Sequence, residues 1–363
     1  MIIYWRIGND CNLNCKYCRI IGVNKHSPKK IQFQDHNFIN DIVMFTRKIV
    51  ANNGADPTTL VLYGGEPLLY QESIMQFLEK TRDLQIESIL HTNGTLLNEI
   101  DGELLKDIDK ILVSIDGNKT ITDKYRGDGT YNKIREGVES IRKIYNGEII
   151  ARSTLTLDAS IKDSILDLNE WFDGMFWQIE NSPLFDDSAM NSFLLRYDED
   201  LKYLVKFWMD SLQKGHVINI LPFQAIASTL LLNKKEDILR CGCGSKLIVI
   251  DGKECFTCDE LEGISDDVYL GTIYENVTPK SEAIISKVKK VCKDCPIFYV
   301  CGGRCFNSLS FFPPEKFKFY CKATFLLVDN IKPKVPELIS LVNGKVDIHK
   351  IMHPVLNVID QIP

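Results

Sequence analysis

The sequence lacks the features of membrane, secreted and nucleic-acid-binding proteins. No apolar run approaches the ~20 residues that a membrane-spanning helix needs. The start of the chain, MIIYWRIGNDC, has no charged segment followed by an apolar one, so we expect no secretory signal and a cytoplasmic location. Asp and Glu (49) outnumber Lys and Arg (43), which gives a formal net charge of −6 and argues against general nucleic-acid binding.

Cysteines are also missing from most of the chain. Of the 12, three lie within residues 11–18, none in 19–240 and nine in 241–321. A cytoplasmic chain rarely keeps so many thiols as disulfides. Clustered thiols are typical of metal sites, because several ligands must meet at one ion or cluster. The cysteine pattern therefore predicts metal binding rather than a disulfide framework.

The first half of the chain alternates short apolar runs with amphipathic stretches. Strands are predicted at Ile2–Ile7, Thr59–Tyr63, Ile86–His91, Lys110–Ile115, Glu148–Leu155 and Met175–Ile179. Helices are predicted at 38–50, 73–83, 98–107, 131–145 and 161–172. This alternation indicates a parallel sheet covered by helices. Six units are too few for an eight-stranded barrel, so the predicted fold class is α/β, a partial (β/α)6 TIM barrel.

The alternation ends near residue 180. A helix is predicted around Asp198–Leu212, and a β-hairpin at 246–258 that turns at Asp251-Gly252. From residue 259 to 330 the chain is expected to be rich in turns, and the tail is expected to hold a helix at Pro336–Val342. The predicted domains are a barrel (1–182), a bridging helical region (183–237), a cysteine-rich extension (238–330) and a tail (331–363).

The first cysteine group directly follows the first predicted strand. Cys11, Cys15 and Cys18 have the spacing Cys-x3-Cys-x2-Cys, in a loop position where barrel enzymes carry catalytic groups. Three thiolates can hold three irons of a [4Fe–4S] cluster and leave the fourth iron open to a substrate or cofactor. The alternative is a zinc site with a distant fourth ligand.

The segment GNDCNLNCKYCRI, which begins at Gly8, resembles the signature of the radical S-adenosylmethionine (radical SAM) enzymes. Four further passages resemble family positions after strands two to five: YGGEP at 63–67, TNG at 92–94, SIDG at 114–117 and ARS at 151–153. The resemblance covers about residues 1–180. It implies an enzyme in which an electron from the cluster cleaves SAM, and the resulting 5′-deoxyadenosyl radical abstracts hydrogen from the substrate.

The resemblance also implies the residues of a SAM site, which are Tyr17, Gly64, Gly65, Glu66, Asn93, Ser114 and Arg152. The two glycines would let backbone carbonyls approach the amino group of SAM. Glu66 would accept from that ammonium or form an ordinary loop salt bridge. Ser114 would contact the ribose or carboxylate, and Arg152 would fork onto the carboxylate or form a structural ion pair. Asn93 would contact the ribose or belong only to a turn.

The second cysteine group resembles the SPASM extension of radical SAM enzymes that modify peptides, in which cysteines hold two auxiliary [4Fe–4S] clusters. Three clusters would need eleven thiolates, and the chain has 12; several zinc sites are the alternative. The resemblance assigns an outer cluster to Cys292, Cys295, Cys301 and Cys321. It assigns an inner cluster to Cys241, Cys258, Cys305 and either Cys243 or Cys255.

The fourth ligand of the inner cluster is the open point in this assignment. On an extended hairpin arm, Cys255 and Cys258 would point to opposite faces, so we prefer Cys243. Asp259 directly follows Cys258, and in anaerobic sulfatase maturases an Asp at this position is the proposed base. The resemblance therefore makes Asp259 a candidate catalytic base, and the alternative is a solvated turn residue.

The leading functional interpretation is a radical SAM enzyme that oxidises or cross-links side chains of a peptide or protein and receives electrons from a flavodoxin or ferredoxin. The first alternative is an anaerobic sulfatase maturase, which converts Cys or Ser to formylglycine, although the region after Asp259 lacks a clear match to that group. The second is a non-enzymatic iron–sulfur carrier, which would need neither Arg152 nor the YGGEP loop. Passages such as CGGRC (301–305) also resemble an archaeal branch of SPASM enzymes.

Overall fold

The computed structural model describes residues 1–18, 36–233 and 239–353. The chain divides into two compact units. The first comprises Met1–Ile115, Lys119–Ile150 and Gly244–Ser281. The second comprises Asp116–Asn118, Ala151–Cys243 and the described part of Glu282–Pro363. The four domains expected from the sequence stay a prediction.

The first unit is built on four parallel strands that follow one another along the sheet, as predicted. They are β1 (Ile2–Arg6), β2 (Thr58–Tyr63), β3 (Ile86–Thr92) and β4 (Lys110–Ser114). Parallel strands in such folds are covered on both faces, so they read as continuous apolar runs. All six residues of β2 are accordingly buried. A fifth strand, β5 (Glu148–Leu155), begins in the first unit and continues in the second.

Helices connect these strands. The first unit contains α1 (His36–Asn53), α2 (Gln71–Thr81), α3 (Gly102–Lys106), α4 (Lys119–Arg126) and α5 (Thr130–Ile141). The helix predicted at 98–107 is wrong in extent, because the region holds a short 3-10 helix, Leu97–Glu99, followed by α3. Asp101 is extended and its side chain accepts from the Glu103 N–H, so it begins a new helix rather than continuing one.

The second unit contains the remainder of β5, then α6 (Ile161–Leu168) and β6 (Gly174–Ile179). The predicted helix around 198–212 is part of α7 (Asp187–Gln213), a helix of 27 residues that is capped by Asp186. It is followed by α8 (Leu221–Leu232). None of the helices in the described ranges combines the length and apolar character that crossing a membrane requires.

The predicted hairpin is confirmed, and it has a further role. Strands β7 (Leu247–Asp251) and β8 (Glu254–Phe256) are antiparallel, with Gly252 at positive φ in the turn. Strand β7 also pairs in parallel with β1, and β9 (Tyr269–Thr272) pairs with β8. The strand order in the first unit is therefore β4-β3-β2-β1-β7-β8-β9, which is linear rather than closed.

The expectation that residues 259–330 are rich in turns is wrong for residues 282–330, which are mostly helical. The region holds α9 (Glu282–Cys292), α10 (Phe298–Cys301), α11 (Phe306–Phe311) and most of α12 (Pro314–Ile331). Helix α12 begins with a proline at its first position, where a missing N–H costs nothing, and buries an apolar stripe along its length. The tail contains the predicted helix as α13 (Val335–Val342), and then α14 (Ile348–Ile351).

Candidate active site

The loops that follow β1, β2, β3 and β4 leave one edge of the sheet, because the four strands are parallel. They are the cysteine loop (residues 8–18), the glycine loop (residues 64–66), the turn at 93–95 and the position of Ser114. Folds of this kind carry reactive groups at the carboxyl ends of their strands. The structure thus brings the first cysteine group and all but one of the predicted SAM residues to the same edge.

The cysteine loop holds three thiols that form no disulfide. Cys11, Cys15 and Cys18 are all half-buried, and the Cys18 N–H donates to the Cys15 carbonyl at 3.0 Å. The sulfur of Cys11 accepts from the Leu13 N–H at 3.4 Å. Burial raises the pKa of the Cys11 thiol, whereas this N–H donor lowers it. The loop therefore presents thiols that are neither sealed in a core nor fully solvated.

Tyr17 helps to fix the cysteine loop against the end of α4. The Lys16 N–H donates to the Tyr125 carbonyl at 2.9 Å, and the Tyr17 and Tyr125 rings lie 6.0 Å apart. The Arg126 guanidinium lies 5.6 Å from the centre of the Tyr17 ring, within range of a cation–π contact. Tyr17 is half-buried, so part of its surface stays open at this edge. Its predicted contact with SAM stays a prediction.

The glycine loop lies against the backbone of the cysteine loop. The Gly65 N–H donates to the Gly8 carbonyl and the Glu66 N–H to the Asp10 carbonyl, both at 2.8 Å. A Cβ on Gly64 would lie 2.3 Å from the Gly8 oxygen, and one on Gly65 would lie 2.2 Å from the Asp10 oxygen. Gly64 also has a φ of +148°. The contact that requires both glycines is therefore one between two loops of the protein, which the sequence did not reveal.

Glu66 is wholly buried and ties two strand ends together. Its carboxylate accepts from the Leu68 N–H at 3.0 Å, the Thr92 hydroxyl at 2.7 Å and the Asn93 N–H at 2.7 Å. Burial raises the pKa of Glu66, while these donors oppose the rise. Within the described residues its partners are hydrogen-bond donors rather than a cation, so the loop salt bridge offered as an alternative is not formed there.

Asn93 links the turn after β3 to the cysteine loop. Its side-chain amide donates to the Asn12 oxygen at 2.8 Å and lies 3.7 Å from the Cys11 sulfur. Its own oxygen accepts from the Thr95 N–H at 2.9 Å, as expected for Asn in a turn, and Gly94 follows at positive φ. The turn is thus formed, and its Asn also orders the first cysteine.

Ser114 has a partner that the sequence did not point out. The ring Nε2 of His91, near the end of β3, lies 3.1 Å from the Ser114 hydroxyl at the end of β4. Both side chains are half-buried. The sequence could not identify His91 as a site residue, because only the parallel register of β3 and β4 places it beside Ser114.

Arg152 belongs to the second unit, unlike the other predicted SAM residues. Its guanidinium donates to the Gln178 side chain at 2.5 Å and lies 5.9 Å from the centre of the Phe176 ring. These contacts orient the side chain along β6. The carboxylate clamp assigned to Arg152 stays a prediction.

Asp259 lies beside a group of charged residues around the ends of β1 and β7. The Arg6 guanidinium donates to Asp251 at 3.2 Å, to Glu262, and to the Asp259 carbonyl at 3.4 Å. Burial and the neighbouring Asp251 raise the pKa of Glu262. The hydroxyl of the buried Tyr63 has no hydrogen-bond partner among the described residues. The candidate base therefore stands next to a dense, largely buried ionic group.

The second unit brings together the four cysteines assigned to the outer cluster. The pKa of Cys292 is raised to about 11 and that of Cys301 to about 12, mainly by burial, and the Cys321 thiol contributes to both rises. Cys295 likewise raises the pKa of Cys292 and of Cys321. Such mutual effects require the thiols to be close to one another. Their role as cluster ligands stays a prediction.

The residues assigned to the inner cluster are distributed over both units. Cys241, Cys243 and Cys305 belong to the second unit, and Cys258 belongs to the first. Cys255 lies in β8 with no exposed surface, and burial raises the pKa of its thiol to about 12. It has the surroundings of a core residue, and the choice of Cys243 over Cys255 stays a prediction.

In the described ranges, no three His, Cys, Asp or Glu side chains come together as the ligands of a single metal ion would. In an iron–sulfur cubane each thiolate binds a different iron, so the ligands stand further apart than around one ion. The three thiols of the cysteine loop are half-buried and form no disulfide, so they remain candidates for such a cluster.

A comparison with protein families identifies the first part of the chain. Residues 5–159 match the model of the radical SAM superfamily. The chain carries a radical SAM domain. The matched range contains the cysteine loop, the glycine loop, the Asn93 turn, Ser114 and Arg152, so it covers every residue to which the SAM site was assigned. The family resemblance, the enzymatic nature of the chain and its use of SAM with an iron–sulfur cluster are thereby confirmed.

Two curated relatives are similar to most of the chain. A cysteine-type anaerobic sulfatase-maturating enzyme of Clostridium perfringens is 28% identical over 329 residues, which cover 82% of this chain and 86% of that protein. A serine-type anaerobic sulfatase-maturating enzyme of Klebsiella aerogenes is 24% identical over 336 residues, which cover 82% of this chain and 78% of that protein.

Solved structures show the same fold. anSMEcpe with bound AdoMet has a TM-score of 0.74 and 22% identity, and the match covers 93% of this chain and 98% of that one. SuiB of Streptococcus suis has a TM-score of 0.59 and 14% identity, with 87% and 76% covered. The predicted fold class, an open α/β barrel with a cysteine-rich extension, is confirmed by these matches and by the linear strand order.

Proposed function

We propose that this radical SAM enzyme oxidises a side chain of a peptide or protein. The observation that carries the proposal is the edge of the first sheet, where the cysteine loop, the glycine loop and the Asn93 turn are joined by hydrogen bonds. The relatives suggest the substrate class. Two are maturases of sulfatases, and both anSMEcpe and SuiB have been solved with a bound peptide.

The residues of the cysteine loop fit an iron–sulfur cluster with one open iron. Cys11, Cys15 and Cys18 would hold it, and the donors to the Cys11 sulfur favour the thiolate form that a ligand needs. The chemistry that SAM supplies when bound to the reduced cluster is hydrogen abstraction by a 5′-deoxyadenosyl radical. The protein's part is to bind, orient and shield the reacting groups.

Binding and orientation of SAM fall to the loops at the same edge. Ser114, held by His91, would donate to the ribose or carboxylate, and Arg152 would pair with the carboxylate. The wholly buried Glu66 uses three of the about four lone-pair sites of its carboxylate within the protein, so it would hold the loops that surround the SAM ammonium. The two glycines and Asn93 would fix the loops, and Tyr17 would line the site.

Oxidation of a side chain after hydrogen abstraction requires loss of a proton and an electron. Asp259 would accept the proton, as the candidate base. The second cysteine group would hold two auxiliary clusters, and one of these could accept the electron. An electron donor such as a flavodoxin or ferredoxin, and a cytoplasmic location, remain predictions from the sequence.

Of the two enzymatic interpretations, the relatives favour oxidation of a single Cys or Ser over cross-linking. Five of the similar proteins are anaerobic sulfatase-maturating enzymes of the cysteine or serine type. The region after Asp259 argued against this group, but each of these matches covers 82% of the chain. Cross-linking remains the second candidate from the sequence, and SuiB, which shares the fold, has been solved with a bound precursor peptide.

Mass spectrometry of reacted peptides tests the proposal. The anaerobically reconstituted enzyme is incubated with SAM, dithionite and synthetic peptides that contain one Cys or one Ser, with Ala at that position in the control peptide. Conversion of Ser to an aldehyde removes two hydrogens, and conversion of Cys also exchanges sulfur for oxygen; a hydrazide probe captures both products. A cross-link also loses two hydrogens but gives no hydrazide adduct. If no peptide or sulfatase substrate changes while SAM is cleaved, the proposal is wrong.

A further inference from the structure

One side chain holds the segment that carries Cys258 and Asp259. We call residues 251–262 the clamped segment. The Arg6 guanidinium donates to the Asp251 carboxylate at its start, to the Glu262 carboxylate at its end and to the Asp259 carbonyl between them. Arg6 is the last residue of β1, and the cysteine loop begins two residues later. The same strand end therefore contacts the candidate base and leads into the predicted radical cluster.

The register of the sheet sets these contacts. Arg6 pairs with Tyr63 on β2 and with Asp251 on β7, so the three side chains share one face. Trp5 points to the other face, where its ring packs 4.8 Å from Phe77. Only 10% of the Arg6 side chain is exposed, so its contacts are shielded from water and salt.

The charges around Arg6 explain why a guanidinium is needed. Asp251, Glu262 and Asp259 all act on it electrostatically, and Asp259 also acts on the buried Tyr63. A guanidinium offers five N–H donors in a fixed fork and can contact several acceptors at once. An ammonium keeps the charge but is a point donor, which cannot reproduce that geometry. Removal of the cation would leave the half-buried Asp251 and Glu262 side by side without it.

We propose that Arg6 is a positioning residue for Asp259. By fixing both ends and the middle of the clamped segment, it sets where the base stands when the substrate has lost a hydrogen atom. Arg6 itself touches neither substrate nor cofactor. This inference rests on the proposed function, in which Asp259 is the base and Cys258 is a cluster ligand.

The test compares two arginines that make the same kinds of contact. Arg6→Lys keeps the positive charge but loses the planar guanidinium, which donates to several acceptors at once. Arg47→Lys is the matched control, since Arg47 also donates twice to a carboxylate (Asp83, 2.6 and 2.7 Å) and once to a carbonyl (Lys80, 2.6 Å). If Arg6→Lys does not fold, the double variant Arg6→Met/Glu262→Gln is used in the test instead. It removes the cation and one of its carboxylate partners together.

Hydrogen–deuterium exchange measures positioning without any turnover. In the reconstituted enzyme, amides of the clamped segment should exchange at least threefold faster in Arg6→Lys than in wild type. Amides of β3 and β4 should be unchanged, and Arg47→Lys should match wild type throughout the clamped segment. Unchanged exchange in the clamped segment of Arg6→Lys would overturn the proposal.

The second readout is the amount of peptide product formed per 5′-deoxyadenosine. It should fall about tenfold in Arg6→Lys, because a misplaced group costs rate in the step that it serves, whereas cleavage of SAM itself should stay within about twofold. Asp259→Asn should lower the same ratio, and the double variant should be no worse than Asp259→Asn alone. Additive losses would show that Arg6 does not act through Asp259.

These outcomes separate the inference from the function on which it rests. A wild-type enzyme that forms no peptide product contradicts the proposed function, and the exchange data still decide whether Arg6 holds the segment. A normal product ratio in Asp259→Asn contradicts the base, and with it the positioning role of Arg6. If the amount of peptide product per 5′-deoxyadenosine is low in Asp259→Asn but normal in Arg6→Lys, the inference about Arg6 is overturned and the proposed function stands.

Discussion

At the residue scale, the predicted SAM residues other than Arg152 lie at one edge of the first sheet, and several of them join the loops at that edge by hydrogen bonds. Glu66 accepts three hydrogen bonds from the loops after β2 and β3, and Asn93 reaches the cysteine loop. The motifs in the sequence could name these residues because family positions are recognisable. They could not reveal His91 beside Ser114, since that contact depends on the register of two strands.

The glycine loop gives the sharpest prediction at this scale. Gly65→Ala should destabilise the protein by about 1–3 kcal/mol and weaken SAM binding, because the new Cβ would lie 2.2 Å from the Asp10 carbonyl oxygen and force two loops apart. Gly102→Ala is the control, since nothing lies within 4 Å of its Cβ position. Urea unfolding and calorimetric SAM titration measure both effects. Equal stability of the two variants would contradict the described packing.

At the element scale, the strands of the barrel and the β7–β8 hairpin were predictable, whereas the pairing of this hairpin with β1 and the helices α9 and α12 were not. Strands β1, β2 and β4 are buried over almost their whole length, which is the pattern of parallel strands covered on both faces. The pairing of β7 with β1 joins residues far apart in the sequence, and no local pattern encodes it. Helices α9 and α12 were missed because both contain predicted cluster cysteines, which made the region resemble a series of turns.

The ionic group that joins β1 to the clamped segment should make stability depend on pH. The pKa of Glu262 is raised from 4.5 to about 8, so the folded protein holds a proton there that the unfolded chain has lost. The free energy of unfolding should therefore fall as pH rises from about 4.5 to about 8, by at most about 1.4 kcal/mol per pH unit from this group. Glu262→Gln should flatten that slope in urea unfolding measured at several pH values. An unchanged slope would mean that the Glu262 pKa is not raised.

At the scale of the whole molecule, the cysteines assigned to the radical cluster lie in the first unit and those of the outer cluster in the second. The count of 12 cysteines and their two groups were readable from the sequence. The division of the inner set between the units was not, because Cys258 lies on a segment that joins the first sheet through long-range pairing.

This division predicts how iron should be lost. Reconstituted wild type should bind about twelve irons per chain, four for each of three clusters, and Cys292→Ala should retain about eight. The radical cluster should keep its electron paramagnetic resonance signal, because Cys292 and the cysteine loop belong to different units. Loss of that signal in Cys292→Ala would contradict the separation, and zinc in place of iron would reject the cluster assignment.

The central claim is that the cysteine loop holds a cluster that cleaves SAM, and Cys18→Ala tests it most directly. No other cysteine lies nearby in sequence to replace Cys18, so two thiolates would remain. The matched control is Cys255→Ala, which removes a buried thiol that we assign to no cluster. The measurement is 5′-deoxyadenosine formation with dithionite, together with iron content. The account predicts cleavage in wild type and Cys255→Ala and none in Cys18→Ala, whereas undiminished cleavage in Cys18→Ala would contradict it.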